Sequence, residues 1–306
     1  MSRSTISTFQ LFQLIPDAES ARLYLEARLW PKGVTCPTCA GQDRITNRPR
    51  VGFHRCNKCQ LDFTVRTGTI FERSHIPLHK WLYAMYLLLT ARKGISSMQV
   101  AKQIGVTQKS AWFMLQRLRE ACAGELEKLQ GMVEIDEAYF GGKEANKHES
   151  KKLRAGRGSV GKTAVLGLRE RGGRTIAMTV PNTDKETIQT AIMDNVEVGS
   201  LLLTDEATAY SGMAGLFFDH ETVNHSAGEY TRGVASTNSI ESVWAVMKRG
   251  VHGVYHQVSP KHLHRYVDEF TFRLNEGNVE VHTLDRLDSF IKAMDGKRLT
   301  YARLIQ

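Results

Sequence analysis

Hydrophobic positions along this chain change their spacing several times. In the first 30 residues, Ala21, Leu25 and Leu29 recur every four positions behind Asp17. That spacing predicts a short amphipathic helix capped by the aspartate. Residues 31–72 lose the helical period; Gly and Pro punctuate them, with strand-like runs such as Asp62-Phe63-Thr64-Val65. From residue 79 to 122 the helical period returns. It predicts helices over about 78–91, 97–104 and 108–122, with Gly105-Val106-Thr107 as the tight turn between the last two.

Residues 132–250 alternate differently. A strand is expected at 133–140, and a hairpin of 164–169 with 175–180 around Gly172-Gly173. Thr183-x-x-Glu186 has the form of a capping box for a helix reaching residue 196. A buried strand at 201–204, a weaker one at 222–225 and a helix over 238–248 follow. This order suits a mixed sheet with helices packed on it, an α/β class. Ser259-Pro260 then starts a helix with the stripe Leu263, Tyr266, Val267, Phe270 and Leu274. Leu284, Leu287, Ile291 and Met294 form another stripe. No internal repeat is visible. The expected organisation is an N-terminal helix (1–30), a cysteine-bearing module (31–75), a helical segment (76–128), an α/β domain (129–278) and a C-terminal helical extension (279–306).

Composition adds a partner class. The 306 residues are 42% hydrophobic, enough for a sizeable core, and carry a net charge of +9. A basic excess suits a polyanion, most simply nucleic acid, although solubility alone also accounts for it. No apolar run approaches the length of a membrane span, and the first 14 residues lack the three regions of a signal peptide. A cytoplasmic protein with no membrane partner is expected.

Four of the five cysteines form two knuckles, Cys36-Pro37-Thr38-Cys39 and Cys56-Asn57-Lys58-Cys59. Two such knuckles complete a tetrahedral thiolate shell for Zn²⁺; disulfides or chance pairs are the alternatives. A closed four-cysteine shell makes the zinc structural, supplying on the order of 10 kcal/mol to a module too small to fold alone. Arg44, Arg48, Arg50, His54, Arg55, Lys58 and Arg66 surround it, as a nucleic-acid contact or as a solvated surface. Cys122 is unpaired and reads as a core residue.

The segment 97–115 has a helix-turn-helix pattern. Ala101 faces the turn, Gly105 makes it, Val106 plugs it, and Gln108, Lys109 and Ser110 lie where a major groove would be met. A plain three-helix bundle shares the pattern; the basic charge favours DNA.

Three carboxylates stand out. Asp136 shares a strand face with Glu134, an unusual pair for a core and a candidate metal-facing edge. Asp205 ends an apolar strand, beside its rival Glu206. Glu241 and Lys248 are seven residues apart on one helical face, as are Asn238 and, further on, His252. Converging carboxylates can hold two divalent metals and drive phosphodiester chemistry. Lys143, Lys147, Lys151, Lys152, Arg154, Arg157 and Lys162 crowd a Gly-rich stretch after Asp136, suited to gripping a DNA backbone or to solvation.

At these residues the chain resembles the ISXO-like transposases of bacterial insertion sequences, relatives of the Merlin DNA transposons. The resemblance runs over nearly the whole chain. It is carried by the cysteine knuckles, by Val133-Glu134-Ile135-Asp136-Glu137-Ala138-Tyr139-Phe140-Gly141-Gly142 and by Gly156-Arg157-Gly158-Ser159-Val160-Gly161-Lys162-Thr163. Asp205-Glu206-Ala207, His225-Ser226, Thr237-Asn238-Ser239-Ile240-Glu241-Ser242-Val243-Trp244, Lys248-Arg249-Gly250 and Tyr266-Val267-Asp268-Glu269-Phe270 continue it. It implies an N-terminal zinc ribbon, a helix-turn-helix and an RNase H-like core whose metal triad is Asp136, Asp205 and Glu241. Some relatives carry Asn at the third acidic position; here it is Glu241. Lys248 matches the lysine that follows that acid, and Arg249 continues the basic end. Arg273-Leu274-Asn275-Glu276-Gly277-Asn278 departs from the pattern, since relatives carry another basic residue soon after the asparagine.

The implied activity is cutting of insertion-sequence ends and joining of their 3′-OH groups to target DNA, with two Mg²⁺ or Mn²⁺ ions as cofactors and Zn²⁺ as a structural ion. The implied partners are double-stranded DNA, at terminal inverted repeats and target sites, and further copies of the chain, at least a dimer on DNA. The location would be the bacterial cytoplasm, at the nucleoid. Two rivals remain open: a non-catalytic DNA-binding regulator, and an RNase H-like nuclease or resolvase. His262-Leu263-His264 mimics a His-hydrophobic-His nuclease, but Ser259-Pro260 and the helical spacing oppose the strand that chemistry needs.

Overall fold

The computed structural model describes residues 5–124, 126–142, 146, 148–153, 158–215, 218–223, 236–276 and 280–306, and of Lys151 the backbone alone. The chain divides into two units, Met1–Gly124 with Glu276–Gln306, and Glu125–Asn275.

The first unit begins with α1 (Thr8–Leu14), a helix the periodicity missed, closed by a reciprocal Ser7–Gln10 capping box. Asp17 caps α2 (Ala18–Leu29), accepting from the Ser20 amide at 2.8 Å, and Ala21 and Leu25 are fully buried as expected. Three short antiparallel strands follow, β1 (Ile45–Asn47), β2 (His54–Cys56) and β3 (Leu61–Phe63). Three helices come next, α3 (Leu78–Thr90), α4 (Ser97–Ile104) and α5 (Gln108–Cys122). Gly105 ends α4 in the left-handed region, where a side chain would be strained, and Thr107 caps α5 through the Ser110 amide.

The second unit is a five-stranded sheet. Its strands are β4 (Met132–Phe140), β5 (Thr163–Glu170), β6 (Thr175–Val180), β7 (Leu201–Asp205) and β8 (Asp219–Val223), in the order β6-β5-β4-β7-β8. Only β5 runs against the others, because it pairs antiparallel with both β4 and β6 while β4–β7 and β7–β8 are parallel. This 3-2-1-4-5 order is that of an RNase H-like core. Alternation along β4 sorts its two faces. Val133 and Ile135 join Leu166, Leu168, Leu202 and α6 (Lys185–Asn195) in one core. Ala138 and Phe140 join Val165 and α7 (Asn238–Gly250) in the other, with Leu263, Val267 and Phe270 of α8 (Leu263–Asn275).

The chain then returns to the first unit. There α9 (Thr283–Ala293) packs on α2, α3 and α5, burying Leu287, Phe290 and Ile291, and α10 (Tyr301–Ile305) ends it. Arg117 of α5 secures this tail, donating to the Leu299 carbonyl at 3.0 Å and to those of Ile70 and Glu72.

Several expectations change. The α6 cap is Asp184, which accepts from the Thr187 amide at 2.8 Å; the Thr183 hydroxyl instead pairs with Tyr139. Ser259-Pro260 opens a 3-10 turn, Pro260–His262, before α8 begins. The weak strand begins at Asp219, three residues earlier than expected, and the expected positions 224 and 225 lie outside the described residues. α7 ends at Gly250, and His252 lies in the π-helical turn Val251–Tyr255 that follows it. Asn275 clamps the edge strand: its side chain accepts from the Thr175 amide at 2.8 Å and donates to the Thr175 carbonyl at 2.7 Å. Among the described residues, no helix is long and apolar enough to cross a membrane.

Candidate functional site

Sheet register brings the first two acids together. β4 and β7 are parallel, with Glu134 opposite Leu203. The pairing ends there, and Asp136 and Asp205 each stand two residues further along their strands, close enough that the charge of Asp205 acts on Asp136. Glu241 lies in the first turn of α7, exposed, within reach of the Thr237 hydroxyl at 3.5 Å. β7 ends at Asp205, whose Oδ1 accepts from the Ala207 amide at 2.9 Å; Glu206 is exposed beyond it.

Trp244 ties α7 to Asp136. Its indole N–H donates to Asp136 Oδ2 at 3.0 Å. Gly167 makes that approach possible. It stands opposite Asp136 on β5, and a Cβ there would lie 2.5 Å from the indole ring. Trp244 follows Glu241 by three residues, so one helix face carries both groups.

Electrostatics mark Asp136 as the centre. Burial pushes its carboxyl up, the Glu137 amide and Trp244 indole pull it down, and the charges of Asp205 and Glu241 add to the rise, leaving it at about 6. The two hydrogen-bond donors named for Asp136 are neutral, and the charges of the other two acids reach it. Such acids are the donor set a divalent cation requires. Two ions lie about 3.5–4 Å apart in such sites, so the acids need not crowd around a single point. Among the described residues only the four cysteines form a group with every ligand atom within 4.8 Å.

Glu137 was quoted in the sequence without a role. It faces the α6 side of the sheet, where the buried Tyr210 hydroxyl donates to its Oε1 at 2.7 Å. Burial raises its carboxyl to about 7; Tyr210 opposes that, while Asp136 and Asp205 reinforce it. Glu134, expected at a metal-facing edge, is committed elsewhere. Its carboxylate is buried and engaged by Arg171, Ser239 and Ile240.

The cysteine cluster is built locally. Cys36 and Cys59 sulfurs lie 4.0 Å apart, Cys39 and Cys56 3.7 Å, and all four are free thiols. Ala40 and Gln60, each following the second cysteine of a knuckle, take the same left-handed conformation. Burial raises the Cys36 thiol, but amide donors from Cys39 and Thr38 outweigh it and leave it at about 7. Cys59 is pushed up to about 12, first by its hydrogen bond to Cys39 and then by burial. One ready thiolate among crowded sulfurs fits a tetrahedral Zn²⁺ shell. Beside it Trp30 packs edge to face on His54 and Phe63, whose own rings are tilted by 39°.

Basic residues divide by environment. Arg48 and Arg55 both pair with Asp62, and Arg66 is spent on the Ser74 and Ile76 carbonyls. Lys109 lies over the Tyr301 ring, 5.2 Å from its centroid, and Gln108 donates to Ser97. Lys152 pairs with Glu149. Lys162, half-buried, starts the β5 side of the hairpin against Gly141. Asn238, Lys248 and Arg249 are exposed on α7. Lys143, Lys147, Arg154, Arg157, the Lys151 side chain and His225-Ser226 lie outside the described residues.

Residues 128–275 match the ISXO2-like transposase domain and residues 16–62 the transposase zinc-ribbon domain. A protein in transposable element ISH50 of Halobacterium salinarum is 29% identical over 271 residues, covering 85% of this chain and 91% of that one. Among solved structures, a chain of the Mos1 strand transfer complex is 14% identical, with 71% of this chain and 78% of that one covered and a TM-score of 0.32. A chain of the simian T-cell lymphotropic virus intasome in complex with PP2A regulatory subunit B56 gamma is also 14% identical, covering 63% and 64%, with a TM-score of 0.29. The zinc-ribbon and core domains together define a DDE-type transposase. Both matched domains are transposase domains, and the core domain is of the ISXO2-like kind.

Proposed function

We propose that this chain cuts the ends of an insertion sequence and joins them to target DNA, with Asp136, Asp205 and Glu241 as its catalytic acids. The observation that supports this reading is that the charges of Asp205, two residues past the β4–β7 pairing, and of Glu241 on α7 both act on the Asp136 carboxyl. Two Mg²⁺ or Mn²⁺ ions, when bound, supply Lewis-acid activation of the attacking oxygen and stabilisation of the leaving one. Asp136 bridges the acid set, with its carboxylate orientation fixed by Trp244. Asp205 and Glu241 flank it. Lys248, about 10 Å along α7 from Glu241 by helix rise, and Asn238 offer donors to flanking phosphates. Water attacks first and frees a 3′-OH; that hydroxyl then attacks a target phosphodiester, so no protein–DNA bond is required.

The cysteine cluster holds a structural Zn²⁺. The ribbon and the α4–α5 pair read terminal repeats, with Lys109 at the start of the second helix; Lys143, Lys147, Lys151, Lys152, Arg154, Arg157, Lys162 and Arg249 add backbone contacts. Joining two ends requires at least two copies on DNA. The test uses a plasmid bearing the DNA that flanks the coding region. Asp136→Asn, Asp205→Asn and Glu241→Gln are each expected to lose Mg²⁺-dependent nicking and joining by at least about a hundredfold. Wild-type activity in Glu241→Gln would remove that residue from the site, and nicking without joined products would favour a nuclease.

A further inference from the structure

Glu134 is an acid that the chemistry does not use, yet it is held by more partners than Asp136. Its side chain is 1% exposed. Oε2 accepts from the Ser239 amide at 2.8 Å, the Ile240 amide at 3.1 Å and the Ser239 hydroxyl at 2.6 Å. Oε1 accepts from Arg171 Nη2 at 3.1 Å and Nε at 3.3 Å. Arg171 also donates to the carbonyl and hydroxyl of Ser236, each at 3.2 Å.

Those two amides belong to the first turn of α7, where a helix leaves its N–H groups unpaired. The residue at the N-cap position, Thr237, makes no side-chain capping bond to them. A carboxylate on a strand more than a hundred residues earlier does so instead, with the favourable sign for the positive end of the helix. Glu241 follows Ile240 directly. Glu134 and Asp136 share one face of β4, two residues or about 7 Å apart. One rigid strand therefore carries both the cap that seats α7 and the acid that Glu241 must meet.

We propose that Glu134 is a positioning residue whose buried carboxylate, braced by Arg171, seats the first turn of α7 and so sets Glu241 against Asp136 and Asp205. This rests on the acid-triad reading above. Glu134 is not itself a metal ligand, because both its oxygens are engaged by protein donors. Trp244, Ile240 and Val243 remain to anchor the helix when the cap is lost, so the effect falls on the first turn and not on the whole sheet.

The experiment compares full-length, zinc-loaded wild type with Glu134→Ala, Glu134→Gln and Asp136→Asn. Three quantities are read: amide exchange in the 237–242 segment without divalent metal, Mn²⁺ binding by electron paramagnetic resonance, and plasmid nicking as a function of Mn²⁺ concentration. In Glu134→Ala, exchange should quicken and the Mn²⁺ dependence should move about 10–100-fold to higher concentration, with nicking recovered towards saturation. Glu134→Gln, which keeps one acceptor oxygen for the two amides, should fall between, and it carries the test if the alanine variant fails to fold. Unchanged exchange and Mn²⁺ dependence would overturn the proposal. So would a lowered maximum rate at unchanged Mn²⁺ dependence, the mark of lost stability alone. If Asp136→Asn binds Mn²⁺ and nicks like wild type, the triad reading itself fails, while the exchange data still report whether Glu134 seats α7.

Discussion

The cysteine cluster and the acidic centre, in the function proposed, gather ligands for a cation by opposite routes. The cysteines span residues 36–59, and each pair is brought together by a knuckle whose next residue turns left-handed. The acids span residues 136–241 and come from two strands and a helix. The first site depends on local backbone geometry; the second depends on register, and a one-residue slip of β7 would turn Asp205 to the opposite face. Local construction leaves a small module that needs its ion in order to fold. Distributed construction uses a sheet with an apolar core of its own on each face, so its folding does not wait on a cation.

The sharpest way to break this contrast is to remove the cations. Chelation of zinc, or Cys39→Ser, should unfold the β1–β3 ribbon, since such an ion supplies on the order of 10 kcal/mol. Amide exchange should rise across residues 34–66 while the β4–β8 sheet keeps its protection. Removing Mg²⁺ should leave both protected. A sheet that loses protection without Mg²⁺ would erase the distinction.

Gly167→Ala comes next. The new methyl meets the Trp244 ring and the Ile240 side chain at less than 3 Å. Thermal unfolding should show a loss of about 1–3 kcal/mol from overpacking, and displacement of the indole should lower nicking as well. A substitution of similar size at Gly172, where nothing lies within 4 Å of the added carbon, costs only backbone strain in the turn and should spare nicking.

A smaller effect follows from pH. The Asp136 carboxyl titrates near 3.8 when unfolded and at about 6 when folded and metal-free. Folding therefore takes up a proton between those values, so its contribution falls as pH rises through that window and stays lower above it. Asp136→Asn should raise the unfolding free energy of the metal-free protein above pH 6, by on the order of 1–2 kcal/mol allowing for its partial exposure, and change little near pH 3.5, as thermal melts would read it. A variant that is no more stable at pH 7 would mean that the acids are already compensated. Least of all, Asp184→Ala should cost about 1 kcal/mol through the α6 cap alone, with activity intact.

Much of the architecture was legible in the sequence because it is local. Helical periods located α2 through α5 to within a residue or two, and the hairpin of β5 and β6 followed from alternation around Gly172-Gly173. The knuckle spacing named all four cysteines. Short elements escaped, among them α1, α10, β1 and β2, because three to seven residues hold too few apolar positions for a period to show. At α6, Thr183 and Asp184 both satisfied a capping rule, and only the surrounding fold gave Thr183 to Tyr139.

For the acids, the pattern of strands and helices determined which segments carry them, with Glu134, Glu206 and Asn238 as rivals, and the family resemblance chose Asp136, Asp205 and Glu241 among them. What the tertiary structure adds is a physical difference between Glu134 and Asp136. Strand alternation puts Glu134 and Asp136 on the same face and cannot tell them apart. What separates them is the partner that arrives from elsewhere in the chain: helix amides and Arg171 at Glu134, an indole and two other carboxylates at Asp136. A period fixes the direction of a side chain, but its chemistry depends on what the fold packs against it.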